Sequence, residues 1–204
     1  AWIAEQKDDR QQRDDYIAEA SSRSEDAALA IGIFHCLLQK QSGQAEHALT
    51  TVQDLHEKFP SNPVVIRNLV SLLSATDQWQ DLYTLLNKSS RSHALTETEH
   101  NAQLGSTVVE LLSSTNNKDD ADGIWKSLPK KLRKQIAIIA SYCHALHRLG
   151  GDDDAENLIR TTLKTQWTED LVELYGQLET SDPASQLKQS EQWIPDHPTN
   201  TTLM

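Results

Sequence analysis

The chain has 204 residues, of which 37% are hydrophobic and 24% are charged, values ordinary for a globular protein with a substantial core. Wholesale disorder is therefore not expected. Its 30 acidic residues outnumber 19 basic ones, and a surface with a net charge of −11 argues against DNA or RNA as a partner.

The start of the chain, from Ala1 onward, does not form a signal peptide, and no stretch approaches the roughly 18 apolar residues of a membrane-spanning helix. Because the only methionine is Met204, the last residue, we expect the chain to be part of a longer protein. The seven glycines and six prolines are few, which favours helix over strand. Cys36 and Cys143 have no CxxC companion, so we expect small buried apolar side chains rather than a zinc site or a disulfide.

A repeated hairpin pattern begins near residue 31. Gly43, Ala48 and Pro60 have the spacing of a turn, a close helix–helix approach and a helix stop in the tetratricopeptide (TPR) consensus. Gly150 and Ala155 repeat the first two marks at the same separation. The sequence therefore predicts helical hairpins of one kind in both halves of the chain.

A further hairpin is predicted one period of about 34 residues after the first. Asp77, Trp79 and Leu82 occupy the matching positions there, with a polar residue in the turn instead of glycine. Helix starts are marked by cap residues before proline and by capping boxes, in which a hydroxyl and a carboxylate satisfy the first backbone amides. These marks are Ser22 with Glu25, Asn62 with Pro63, Thr96 with Glu99, and Asp182 with Pro183.

Apolar residues between these marks recur at helical spacing, and no sustained alternation indicates a strand. The sequence predicts an all-α fold, a TPR-like α-solenoid of about five antiparallel helix pairs forming a right-handed superhelix with a groove. We expect a single domain over residues 1–204. Its approximate units are 1–22 (partial), 23–61, 62–94, 95–128, 129–167 and 168–204 (partial).

Three segments in the second half resemble the proteobacterial HemY proteins, and a weaker match extends back to the first residue. The segments are WKSLPKKLR at 125–133, LETSDP at 178–183 followed by Gln186 and Leu187, and EQWIPDHP at 191–198. The resemblance implies two N-terminal membrane helices, absent from this chain, followed by a TPR region. It also implies an association with late protohaem synthesis at the bacterial inner membrane, without an established catalytic role.

The function that follows is a non-catalytic scaffold with enzymes of the haem pathway as partners. It would face the cytoplasm or the envelope, and the cytoplasmic side is favoured. A flavin-dependent protoporphyrinogen oxidase of other bacteria shares the name, but this sequence lacks the GxGxxG motif of a flavin domain. A GxSxG turn is also missing, so nucleophilic catalysis has no support. The alternative function is a haem- or porphyrin-binding carrier or sensor.

The partner-binding groove is predicted along the first helix of each pair. The repeat register assigns to it Ile33, Leu37, Lys40, Arg67, Ser71, Ser74, His144 and His147. Such a mixed surface suits a helix or an extended peptide better than a small polar substrate.

His144 and His147 lie three residues apart on one helix and could ligate one metal or haem iron. The other interpretation is a pair of polar groove residues, or one buried histidine bonded to a backbone carbonyl. Because we expect no carboxylate or third nitrogen nearby, we predict no metal site, and haem remains the alternative cofactor.

The one basic cluster of this acidic chain lies where we expect a helix to begin, near Ser127 or Pro129. Its members are Lys126, Lys130, Lys131, Arg133 and Lys134. Cations at a helix start oppose the helix dipole, but together with the free amides they can bind an anion. An acidic lipid headgroup, a porphyrin propionate or an acidic partner segment would fit, and the alternative is a solvated face balanced by nearby aspartates.

Two acidic clusters lack the spacing and the glycine of a calcium-binding loop. They are Asp8, Asp9, Asp14 and Asp15, and then Asp152, Asp153 and Asp154. The second begins a predicted helix, where the dipole favours carboxylates, so we expect a structural role. Four tryptophans near the inter-helix junctions are expected to pack there: Trp79, Trp125, Trp167 and Trp193.

Overall fold

The computed structural model describes residues 11, 15–16, 25–89 and 93–197. Residues 25–89 and 93–197 form ten helices and one 3-10 turn, and no described residue lies in a β-strand, so the expected all-α fold is confirmed. No helix in this part of the chain is long and apolar enough to cross a membrane. The helices are α1 (Glu25–Gln41), α2 (Ala45–Lys58), α3 (Pro63–Ala75), α4 (Trp79–Ser89), α5 (Glu97–Ser114), α6 (Lys118–Ser127), α7 (Ile136–Arg148), α8 (Asp152–Leu163), α9 (Glu169–Gln177) and α10 (Pro183–Trp193).

The chain divides into two compact units, Ala1–Leu104 and Gly105–Met204. In the first unit α1 packs on α2, α2 on α3, and α3 on α4; in the second, α6 packs on α7, α7 on α8, and α8 on α9. Since short turns join the helices of each pair, neighbouring helices run antiparallel and each unit is a series of helical hairpins. The right-handed superhelix and the exact bounds of the repeat units stay predictions.

Three hairpin turns share one backbone conformation. Gly43, Asp77 and Gly150 follow α1, α3 and α7, and all three are left-handed, with φ angles of 71°, 55° and 73°. In each turn the next amide donates to the carbonyl five residues back: Gln44 to Gln39 (2.9 Å), Gln78 to Leu73 (2.9 Å) and Gly151 to Leu146 (2.7 Å). This bond is the mark of a Schellman cap. The three predicted turns are therefore confirmed as equivalent.

A fully buried residue follows each of these turns at the same distance. Ala48, Leu82 and Ala155 each lie five residues after the left-handed position and have 0% exposure. The helices of the first pair approach so closely that a Cβ added to Gly32 of α1 would lie 2.7 Å from Cδ2 of Leu55 in α2. Ala48 and Ala155 are therefore buried at equivalent positions as predicted, and the first pair has the close helix approach expected of it.

The capping residues also take their predicted places. The Asn62 and Asp182 side chains each accept a backbone amide from the first turn of the following helix. At the start of α5 the Thr96 amide donates to Glu99 Oε2 (2.8 Å), and the Glu99 amide donates to Thr96 Oγ1 (3.2 Å). The predicted box at Ser22 lies outside the described residues.

The helix start expected near Ser127 or Pro129 is wrong. Helix α6 ends at Ser127, and Leu128 is extended (φ −69°, ψ 143°), because the ring of a following proline disfavours the helical conformation. A turn and the 3-10 segment Leu132–Lys134 separate α6 from α7. Lys126 thus lies in the last turn of α6, where the helix dipole favours a cation instead of opposing it.

Cysteines and aromatic residues contribute to the core as expected. Cys36 and Cys143 are buried, and burial raises the pKa of the Cys143 thiol to about 12, so it behaves as an apolar side chain. Trp125 stacks on Tyr142 with ring centroids 4.5 Å apart. Trp193 is buried and contacts Trp167 edge-on at 5.7 Å.

Candidate functional site

Six of the predicted groove residues lie on α1 and α3 of the first unit, and none of the six is buried. They recur every three to four residues along each helix, which places one side chain per turn on the same side. We call this surface, together with Phe34 and Val64, the α1–α3 face. Its predicted members are Ile33, Leu37 and Lys40 on α1, and Arg67, Ser71 and Ser74 on α3.

A hydrogen bond joins the two helices across this face. The Lys40 ammonium donates to Ser71 Oγ at 2.7 Å. Because α2 runs antiparallel to both, α1 and α3 are parallel to each other. Ile33 lies seven residues before Lys40 and Val64 lies seven residues before Ser71, so these two apolar residues sit at matching levels, about two turns away. The two helices therefore present one continuous surface.

Three large apolar side chains are exposed on the α1–α3 face. Phe34 is 41% exposed, Leu37 43% and Val64 48%. Phe34 belongs to the helical apolar spacing of α1, yet its side chain is exposed and is not part of the core. The apolar residues of α1 spread over more than half of the helix circumference, wider than the stripe that one packed neighbour buries. That width is the sequence signal for an exposed apolar surface.

Arg67 is held by its own chain at the edge of this face. Its guanidinium donates to the Ala94 carbonyl oxygen at 2.9 and 3.2 Å, and it lies 3.7 Å from the Glu99 carboxylate. The pKa of Glu99 is lowered, first by the Thr96 amide and hydroxyl and to a smaller extent by Arg67. Arg67 therefore connects α3 to the start of α5 and borders the face.

His147 forms an ion pair or hydrogen bond that the sequence did not indicate. Its Nδ1 lies 2.8 Å from Oδ1 of Asp152, whose other carboxylate oxygen accepts the Glu179 amide at 3.0 Å. The expectation of no nearby carboxylate is wrong, because the turn at Gly150 brings the start of α8 back onto the end of α7. His144 is exposed. Within the described ranges, no group of three or more His, Cys, Asp or Glu side chains could hold a metal ion.

The acidic cluster at the start of α8 has the structural role that we expected. Asp152 accepts from the loop after α9, and Asp153 accepts the Ser181 amide at 2.8 Å. Asp154 forms an ion pair with Lys118 of α6 at 2.7 Å. These contacts tie α8 to its two neighbours. Of the N-terminal acidic cluster only Asp15 is described, so the interpretation of that cluster stays a prediction.

The basic cluster is divided by the structure. Lys126 lies 3.6 Å from the Asp122 carboxylate. Four of its members are exposed: Lys126, Lys130, Lys131 and Lys134. Arg133 is half-buried, and its Nε is a fully buried donor with no acceptor among the residues the structure describes. Arg133 is therefore the member of this cluster whose surroundings differ from those of a solvated lysine.

A pocket of about 550 Å³ lies beside Arg133, between α6, α7 and α8. We call it the Arg133 pocket. Its wall includes Asp122 and Trp125 of α6, Tyr142 and Leu146 of α7, and Leu158 of α8. The Tyr142 hydroxyl donates to Asp122 Oδ1 at 2.6 Å, and this hydrogen bond is the main reason that the pKa of Asp122 is lowered. Burial, followed by this bond, raises the pKa of Tyr142.

Reasoning from sequence missed most of this pocket. It identified Trp125 and Arg133, and it expected Asp122 among the aspartates that balance the basic cluster, but it did not assign Tyr142 or Leu158 to a pocket. The spacing of Asp122, Trp125 and Lys126 along α6, at three and four residues, is a usable signal because it places all three on one side of the helix. The contribution of α8 depends on helix packing and has no local signal.

The protein is a TPR-like helical-repeat protein. Its helical hairpins have equivalent left-handed turns, and an exposed face runs along the first helices of consecutive pairs. No family model matches the chain. It is HemY-like: it is 24% identical to Protein HemY of Escherichia coli K12 over 187 residues, 90% of this chain and 47% of that protein. The HemY of Shigella flexneri matches at the same level. The chain thus spans about half the length of the curated relatives it matches.

Among solved structures, this chain is similar to a thermophilic TPR protein of Thermus thermophilus. The TM-score is 0.39 at 14% identity, with coverage of 86% of this chain and 94% of the other. The fold assignment rests on the hairpin turns and buried crossings described above.

Proposed function

We propose that this chain is a non-catalytic scaffold of a HemY-like protein and that its α1–α3 face binds a segment of a partner protein. The supporting observation is the exposure of Phe34, Leu37 and Val64 on two helices that the Lys40–Ser71 hydrogen bond joins. An exposed apolar patch with polar groups at its edge is typical of protein-binding surfaces.

The shape and chemistry of the face favour a helix or an extended segment. Two parallel helices side by side leave a shallow furrow, into which a partner helix can place apolar side chains one turn apart. Lys40 and Arg67 add positive charge at the border of this patch on an otherwise acidic chain. A partner segment with apolar residues and a flanking carboxylate is therefore the best match.

The resemblance to HemY guides the choice of partner. We propose enzymes of late protohaem synthesis as the partners, at the cytoplasmic side of the bacterial inner membrane, with an N-terminal segment outside this chain as the membrane attachment. Protease accessibility of the full-length protein in sealed inverted membrane vesicles tests the side of the membrane. Protection of the TPR-like region in such vesicles contradicts the cytoplasmic placement.

The binding experiment compares exposed apolar residues in different places. Purified haem-pathway enzymes are tested against the immobilised chain by biolayer interferometry. We expect Leu37→Ser together with Val64→Ser to weaken binding at least tenfold, because two apolar contacts are lost. Leu187→Ser is the matched control, since Leu187 is 62% exposed on α10 of the other unit.

Two results would count against the proposal in different ways. Binding that is unchanged by the double substitution but lost with Leu187→Ser would move the surface away from the α1–α3 face. A wild-type chain that binds none of these enzymes would reject the proposed partners.

Haem is not part of this proposal, and a haem or porphyrin carrier stays the untested alternative. The Asp152 carboxylate lies at Nδ1 of His147, which does not exclude a ligand at Nε2, the other ring nitrogen, and His144 is exposed. A role for His147 in fixing the α7–α8 turn accounts for its contacts.

A further inference from the structure

We propose a second binding site that does not depend on the α1–α3 face. The Arg133 pocket of the second unit binds an acidic peptide that presents a carboxylate next to a large apolar side chain. Three features combine there: a cavity, an arginine donor with no acceptor in the described part of the chain, and an aromatic wall.

Arg133 supplies the anion-binding group. Buried polar groups almost always have a hydrogen-bond partner, and the Nε of Arg133 is buried with no acceptor provided by the described residues. The planar guanidinium presents parallel N–H groups that match the two oxygens of a carboxylate. Arg133 lines the pocket, so its permanently charged guanidinium attracts a ligand carboxylate there even though Nε itself is buried.

The aspartates that line the pocket do not oppose an anion, because each is already paired. Asp122 accepts from Tyr142 at 2.6 Å and lies 3.8 Å from Lys118 and 3.6 Å from Lys126. Asp154 lies 2.7 Å from Lys118. Two carboxylates are therefore balanced by two ammonium groups, and Arg133 gives the wall one further positive charge.

The rest of the wall favours an apolar side chain beside that carboxylate. The partly exposed indole of Trp125 stacks on the Tyr142 ring at 4.5 Å with an interplanar angle of 5°, so it is held flat. Leu158 adds aliphatic surface, whereas Leu146, which also lines the pocket, is fully buried. A volume of about 550 Å³ is much larger than a single anion needs and suits an aromatic or large aliphatic side chain with part of its backbone.

A peptide fits these features better than a lipid surface. The site is a recess between helices, whereas a flat anionic bilayer would approach a chain of net charge −11 over a broad area. Free carboxylates and phosphate share part of this chemistry, and the test separates them from a peptide.

The test is a titration of the ¹⁵N-labelled chain followed by NMR. The probe is a terminally blocked Gly-Ser-Phe-Asp-Ser-Gly peptide, compared with versions in which Asn replaces Asp or Ala replaces Phe. We expect the first peptide to shift both the Arg133 Nε–H and the Trp125 indole N–H signals. Each replacement should weaken binding about tenfold, because one removes a charge-assisted hydrogen bond and the other an apolar contact.

Substitutions then assign the effect to the pocket. Arg133→Gln should weaken the peptide about tenfold, whereas Lys134→Gln, which removes the same charge from an exposed neighbour, should change binding less than about twofold. If circular dichroism shows that Arg133→Gln disturbs the fold, Arg133→Lys keeps the charge without the planar fork and should still weaken binding severalfold.

Three results would overturn the proposal. Equal weakening by the Arg133 and Lys134 substitutions would indicate general electrostatic attraction. Inorganic phosphate that shifts the Arg133 signal at the same concentration as the peptide would indicate a simple anion site, and stronger binding to phosphatidylglycerol vesicles would indicate a membrane surface. Since Leu37 and Val64 lie in the other unit, their substitution should leave this titration unchanged, so failure of one site is distinguishable from failure of the other.

Discussion

The left-handed hairpin turn predicts that replacing glycine by alanine changes the free energy of unfolding in opposite directions at two positions of the same unit. Gly150 has a φ of 73° in the turn after α7, whereas Gly123 lies inside α6 and has no positive φ. A Cβ added at either glycine meets no atom within 4 Å. Replacement by alanine therefore tests backbone conformation alone, without a steric clash at either position.

The magnitudes follow from the backbone geometry. In the left-handed region a side chain costs roughly 1–2 kcal/mol, of which about 0.4–1 kcal/mol is offset because alanine restricts the unfolded chain. Gly150→Ala should thus lower the free energy of unfolding by about 1 kcal/mol. Gly123→Ala should raise it by about 0.5–1 kcal/mol, because glycine is a poor residue in a helix interior.

Urea unfolding followed by far-ultraviolet circular dichroism measures both changes. The midpoint should fall for Gly150→Ala and rise for Gly123→Ala, with the same slope against urea in both variants. A shift of both midpoints in the same direction would refute the assignment of Gly150 to a left-handed cap, and with it the equivalence of the three turns.

Three further outcomes are expected. Asp77→Gly should raise the free energy of unfolding by up to about 1 kcal/mol in the same urea assay, since glycine relieves a side chain at a φ of 55°; a clear loss would contradict this. Tyr142→Phe should lower it by about 1.5–3 kcal/mol at neutral pH, because Asp122 loses a hydrogen bond. That bond lowers the pKa of Asp122, so its contribution is present above about pH 4 and is lost as the pH falls through the lowered pKa. Urea curves at neutral and acid pH should show the difference shrinking, and an equal difference at both would exclude the Asp122 contact as its source. Haem titrated into the wild-type chain and into a His144→Ala, His147→Ala variant should give the same Soret absorption, and a histidine-dependent shift would restore the carrier alternative.

The fold could be predicted because its determinants are local. The turn glycines, the small residue five positions later and the capping boxes each act within a few neighbouring residues, so their spacing is visible in the sequence. The spacing alone predicts that Asp77 occupies the position in its turn that Gly43 occupies in the first, and both residues adopt a positive φ. The one misplaced helix start arose where Pro129 was taken to begin a helix, although its ring also ends the preceding one.

The candidate sites were less predictable because they depend on which helices meet. Arg133 and Trp125 are close in sequence, but the pocket between them exists only once α8 supplies Leu158 on the far side. The Asp152 partner of His147 required the sharp return of the chain at Gly150. Charge and spacing can identify such residues, but they cannot assign their partners.

The residues that stabilise the hairpins differ from those that form the exposed apolar surface, and this difference indicates where a partner binds. Hairpin stacking depends on the turn residues, the buried residue at the helix crossing and the capping residues. These residues serve the fold of any repeat of this kind. Phe34, Leu37 and Val64 do not serve those needs, since each keeps more than two fifths of its surface exposed. Exposed apolar surface lowers solubility without stabilising the hairpins. A bound partner segment gives these three residues a physical role that packing within the described unit does not.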